Sequence, residues 1–88
     1  MRSLTQKERR ELKKELVKSG FDMDKLRIVA DYYKYDKLYL VGFNCMDTNI
    51  SQRIAVPFKN EPDMAKIEKQ LKSIAKEVFY EPVLRHAG

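Results

Sequence analysis

The run Leu38-Tyr39-Leu40-Val41-Gly42-Phe43, set between Lys37 and Asn44, carries no charge. Its odd and even positions are both apolar, so neither face of a strand built from it can be left to water. Such a strand belongs in the middle of a small sheet, and the rest of the chain has to cover it.

The segments on either side read as that cover. Thr5-Gln6-Lys7-Glu8 fits a capping box, in which the threonine hydroxyl takes the backbone N–H of Glu8 and the glutamate reaches back. Leu12 and Leu16 then lie one turn apart on a buried face, and Gly20 with Phe21 fits a Schellman-type stop. Leu26 to Tyr35 alternates as a strand, with Leu26, Ile28, Ala30 and Tyr32 on one face and Arg27, Val29, Asp31 and Tyr33 on the other. Tyr35-Asp36-Lys37 is a tight connection into the apolar run, and Asn44 to Asn49 is rich in turn formers and reads as a loop. Ile50 to Phe58 is the third strand, with Ile50, Ile54, Val56 and Phe58 pointing one way and Ser51, Arg53, Ala55 and Pro57 the other. Pro57 cannot donate to a ladder, which puts this strand at an edge. Asn60 is the expected N-cap of a second helix, with Asp63 at N3. Its apolar stripe is Met64, Ile67, Leu71, Ile74 and Val78, extended by Ala75 and Phe79.

These elements predict an α+β fold in the order α-β-β-β-α, a three-stranded antiparallel meander with both helices packed on one face. A chain of 88 residues makes one domain with one modest core, here expected over about 5–80, followed by a short tail. Charged residues make up 35% of the chain and hydrophobic ones 43%, a balance that excludes a disordered tail. No apolar run is long enough for a secretion signal or a membrane span. Cys45 is the only cysteine, so no disulfide forms within the chain, in keeping with a reducing cytoplasm.

Catalytic chemistry finds little to use. Cys45 lies in the expected loop and His86 in the tail, a poor arrangement for a nucleophile and its base. One Cys and one His cannot close a tetrahedral metal site, and Gly20, Gly42 and Gly88 are too scattered for a phosphate-binding loop. The expectation is a non-enzymatic protein without cofactor or metal.

A formal net charge of +5 favours polyanionic partners, either nucleic acid or an acidic protein surface. Around the axis of the first helix, Lys7, Arg9, Arg10, Lys13, Lys14 and Lys18 fill one half-circumference, interrupted by Val17, while Glu8, Glu11 and Glu15 fill a narrower arc. Arg9 with Lys13 and Arg10 with Lys14 are like-charge pairs one turn apart, which a helix built only for its own stability would avoid. Lys69, Lys72 and Lys76 form a second basic ridge on the second helix. Arg9, Arg10, Lys13, Lys14, Lys69, Lys72 and Lys76 are therefore candidate contacts to nucleic-acid phosphates, with a solvated lysine-rich surface as the plainer reading. Tyr33, Tyr35 and Tyr39, interleaved with lysines, could stack bases, pair across strands within the sheet, or meet a partner, including a second copy through the open sheet face. A protein-binding inhibitor or regulator of phage or mobile-element origin, using that face or a sheet edge, is the alternative function.

The element order resembles both double-stranded-RNA-binding domains and the small mRNA-cleaving toxins of the HicA type. Glu11 to Phe21 is similar to the toxin family's first helix with its glycine–aromatic ending, Ala55-Val56-Pro57 to its last strand, and Lys66 to Val78 to its closing helix. The resemblance implies the fold and a basic layer facing nucleic acid. Where the family places its catalytic histidine, in the first strand, this chain has Val29-Ala30-Asp31-Tyr32-Tyr33, so the nuclease does not carry over. A divergent mRNA interferase is the weakest of the three functional readings.

Overall fold

The computed structural model describes residues 2–46 and 51–80, and the side chains of residues 51, 52 and 78–80 lie outside that description. The element order is α1 (Gln6–Lys18), β1 (Leu26–Tyr33), β2 (Leu38–Met46), β3 (Ser51–Phe58) and α2 (Met64–Ile74), which runs on into a π-helical turn over Ala75–Tyr80. The three strands form one antiparallel sheet in the order β1-β2-β3, so the apolar run is the central strand. This is the α-β-β-β-α order and the α+β class that the sequence predicts. Residues 47–49 of the expected loop, Ile50 of the expected third strand and the tail with His86 lie outside the described residues.

Tyr39, Val41 and Phe43 of β2 are fully buried, together with Leu16 of α1 and Ile67 and Leu71 of α2. Leu12, Ile28, Ala30 and Ile74 complete the same core, with Leu26, Tyr32, Ile54 and Phe58 packed around it. The other β2 positions, Leu38, Leu40, Gly42, Asn44 and Met46, point to the opposite side, called here the open face. Paired residues share a face, so Arg27, Val29, Asp31 and Tyr33 of β1 and Arg53, Ala55 and Pro57 of β3 join them there.

Helix α1 begins and ends as its sequence dictates. Thr5 Oγ1 accepts the Glu8 N–H at 3.2 Å, and the Thr5 N–H donates to Glu8 Oε1 at 2.9 Å. At the other end, Phe21 N–H donates to Leu16 O and Gly20 N–H to Val17 O, with Gly20 at φ 93°: the Schellman pattern. Arg2 closes on the same glutamate, its Nη1 lying 2.7 Å from Glu8 Oε1. The N-terminal residues also cover the outer edge of β1. Leu4 N–H donates to Ala30 O, and Tyr32 N–H donates to Ser3 Oγ.

Several boundaries differ from the sequence reading. β1 ends at Tyr33, and Lys34–Lys37 forms the turn, with Lys37 in the left-handed region at φ 51° and Tyr35 at its tip, 99% exposed. Asn44, Cys45 and Met46 extend β2 instead of opening a loop, because Met46 N–H reaches Lys25 O at 2.7 Å and keeps the strand paired to its end. The cap of α2 is Asp63, whose carboxylate accepts the Lys66 N–H at 2.8 Å, and Asn60 stands one turn too early. Asp63 follows Pro62, which disfavours a helical conformation in the residue before it.

Gly42 is needed for its missing side chain. A Cβ there would overlap Ile54 O and lie 2.5 Å from the Ala55 Cα and 2.8 Å from the Ile54 carbonyl carbon, all backbone of β3. That direction is the open-face side of β2, so β3 curls over the open face at this point. Gly42→Ala is expected to cost about 3 kcal/mol or more, at the upper end for an overpacked core. Gly20→Ala, whose added methyl would meet nothing within 4 Å, should cost only about 1 kcal/mol, for its backbone angle alone. Urea unfolding of both variants checks the order.

Glu8 accepts from Arg2 and from the Thr5 N–H, and these contacts hold its pKa down to about 2. The folded value lies below that of an unfolded glutamate, so this stabilisation is complete above about pH 4.3 and disappears as the pH falls toward 2. Unfolding midpoints of the wild type and Glu8→Gln should therefore differ at pH 7 and converge near pH 2.

Candidate nucleic-acid interface

The register brings three residues into one line across the open face: Arg27 of β1 opposes Asn44 of β2, which opposes Arg53 of β3. Arg9 joins them from the helix layer, passing around the β1 edge to an ion pair with Asp31. Arg9, Arg27, Asp31, Tyr33, Asn44 and Arg53 line one cleft of about 290 Å³. Three arginines and a single carboxylate thus line the cleft, and Asp31 is already engaged by Arg9. The Arg9 Nε is shut away with no hydrogen-bond partner among the described residues, so this side chain is held for its terminal nitrogens.

Tyr33 spans the same surface. Its hydroxyl accepts a hydrogen bond from Arg53 Nη2, and the Arg53 guanidinium lies over its ring, 5.2 Å from the centroid. Tyr33 pairs with Leu38 and Arg53 with Asn44, so the line between them crosses β2 between Leu40 and Gly42. At the midpoint of that diagonal, β3 backbone occupies the space a Gly42 side chain would take. Val29 beneath is 6% exposed. Part of the second face of the central strand is thereby covered from within the chain.

The helix layer has the opposite character along its seam. Glu11 and Glu15 of α1 and Glu68 of α2 line a groove of about 380 Å³ between the helices, with Leu12, Met64 and Ala65 at its floor. Lys72 leans on Glu68 at 3.7 Å, and Lys69 and Lys76 are exposed. Arg10, Lys13 and Lys14 are exposed on α1, and the seam of glutamates runs between them and the lysines of α2. Of the basic residues chosen from sequence, Arg9 is the one the fold carries to the sheet-face cleft, where the candidate Tyr33 also lies, with Lys13 one turn behind Arg9 on the same helix.

The tyrosines divide three ways. Tyr33 lies on the open face and Tyr35 at the turn tip. Tyr39 pairs with Tyr32 and so belongs to the helix side, where it is fully buried and offers no surface for stacking. Closeness to the turn groups it with Tyr33 in the sequence, but the four-residue connection reverses the parity. The alternation of β1 and β3 puts Arg27 and Arg53 on their correct faces without linking them. The signal that links them is register, and it depends on Asn44 being strand.

The chain carries no described group of three or more His, Cys, Asp or Glu side chains able to hold a metal, and no described helix is long and apolar enough to cross a membrane. Cys45 is half-buried in β2. No known protein family, no curated protein and no solved structure matches this chain.

The Tyr39 hydroxyl has no hydrogen-bond partner among the described residues, at the inner wall of a cleft of about 300 Å³ that also contains Arg2, Glu8, Glu61 and Asp63. Burial, and then the negative charge of Glu61, raise its pKa above the ordinary value. An unpaired buried hydroxyl stabilises nothing, so Tyr39→Phe should leave the unfolding free energy unchanged or raise it by up to about 1 kcal/mol. A loss larger than that in urea unfolding would show that the hydroxyl is bonded after all.

Proposed function

We propose that the protein is a small non-enzymatic module that binds the nucleic-acid backbone, and that its contact surface runs from Lys13 and Arg9 on α1 around the β1 edge to Arg27 and Arg53. The observation that carries this reading is the convergence of three guanidinium groups on a cleft holding one carboxylate. Arginine presents planar, multidentate donors suited to phosphate oxygens, and three such groups with only one carboxylate among them favour an external anion. Asn44 in the middle of the line adds a neutral donor and acceptor for a sugar or base edge. Arg10, Lys14 and the α2 ridge of Lys69, Lys72 and Lys76 would add field and longer contacts at the margins.

Binding through phosphates releases counterions, so affinity falls with salt at a slope of about −0.7 per contact for single strands. Fluorescence anisotropy with a labelled RNA decamer across a salt series should show a steep negative slope. The double variant Arg27→Gln/Arg53→Gln should flatten it by about 1.4, the share of two contacts. Lys69→Gln/Lys76→Gln should change it less. The absence of binding to RNA or DNA at low salt would overturn the proposal.

A second reading, a protein-binding regulator, is favoured by the outer edge of β3. Among the described residues that strand pairs with β2 alone, and Val56 on its helix side is 37% exposed beside the half-buried Ile54 and Phe58. Recovery of one stoichiometric protein partner after nuclease treatment, lost on Val56→Lys, would select it.

A further inference from the structure

We infer that the Tyr33 ring is a stacking platform for one unpaired nucleobase, with Arg53 as its exchangeable cover, so that the partner is a single strand and not a duplex. This rests on the reading of the sheet face as a phosphate-binding surface and narrows it to one class of nucleic acid.

Tyr33 is the one of the three candidate tyrosines placed to do this. Tyr39 is buried in the core, and Tyr35 stands at the turn tip, 99% exposed, away from the arginine line. The Tyr33 ring lies on the open face within the arginine-lined cleft, and its covered face carries a guanidinium. A cation–π contact at an exposed site is a weak one, and a base stacked on an aromatic ring exceeds it. An incoming base can therefore take the place of Arg53 on the ring. The displaced guanidinium does not lose its role, because it stays in the cleft with Arg9 and Arg27 and gains the phosphate attached to that base. Among the described residues Arg53 has no carboxylate partner to hold it back; Tyr33 is its contact. A volume of about 290 Å³ matches the smallest ligand sites, of about 300 Å³, and admits a single planar base. A base paired inside a duplex cannot enter such a cleft without leaving its stack, whereas a single strand presents its bases free.

The full chain is titrated at low salt with three labelled probes, their affinities compared per phosphate: a single-stranded adenine decamer, a decamer of the same backbone without bases, and a ten-base-pair duplex. The adenine decamer should bind about tenfold or more tighter than the abasic one, the effect of one stacked base, and tighter than the duplex. Tyr33→Leu should erase the difference between the probes, binding the adenine decamer no more tightly than the abasic one. Tyr33→Phe keeps the ring and frees Arg53, so its affinity for the adenine decamer should equal or exceed that of the wild type. Equal binding of adenine and abasic decamers, or tighter binding of the duplex, would overturn the stacking inference while leaving the phosphate surface standing. Binding of none of the three probes would overturn both. The comparison of probes on the wild type needs no variant, so it remains decisive even if Tyr33→Leu fails to fold.

Discussion

The close approach of β3 to β2 at Gly42 is the contact on which the rest of the structure depends. A strand with apolar residues on both faces must be covered twice, and a chain of this size has helices enough for one side only. By leaving Gly42 without a side chain, the fold lets β3 curl over the open face. Arg53 meets Tyr33 there, and the pair lies across the middle of the sheet. Part of the second face is thus covered with one aromatic ring and one arginine stem instead of a third layer. Such a cover is thin, and its outer surface is cationic.

From that arrangement follows the division of charge. Along the helix layer, the groove between α1 and α2 is lined by Glu11, Glu15 and Glu68. On the sheet side, Arg27, Arg53 and the Arg9 side chain that turns the β1 edge line a cleft together with Asp31. Asp31 holds Arg9 in place, neutralising one charge, and leaves the other two guanidinium groups free of carboxylates among the described residues. A net charge of +5 spread evenly would only disperse the protein. Three arginines beside one carboxylate leave a positive surplus in the sheet-side cleft, and such a local surplus gives a polyanion a direction from which to approach.

Most of the fold was legible in the sequence because its signals are local. The capping box at Thr5 and Glu8, the Gly20-Phe21 stop, the alternation of β1 and β3 and the apolar stripe from Ile67 to Ile74 each arise within a few residues. The edge position of β3 followed from Pro57 and its missing N–H. What escaped was set at longer range. Asn44 to Met46 have loop-forming composition, yet Met46 is tied to Lys25 O on the far side of the hairpin. Tyr39 faces the core because the turn ends with Lys37 in the left-handed region, a conformation a lysine does not advertise. The line Arg27–Asn44–Arg53 depends on both of these facts together, so composition pointed to the helix ridges while the fold assembled arginines on the sheet.

The central claim is that nucleic acid meets the sheet face and not the helix layer. Amide and side-chain chemical shifts of the isotope-labelled protein, followed while a single-stranded decamer is added, test it residue by residue. The account predicts perturbations concentrated at Arg9, Arg27, Val29, Tyr33, Asn44 and Arg53, with those at Lys69, Lys76 and the Glu11–Glu68 seam far smaller. Shifts centred on the lysines of α2 with the open face silent would contradict it.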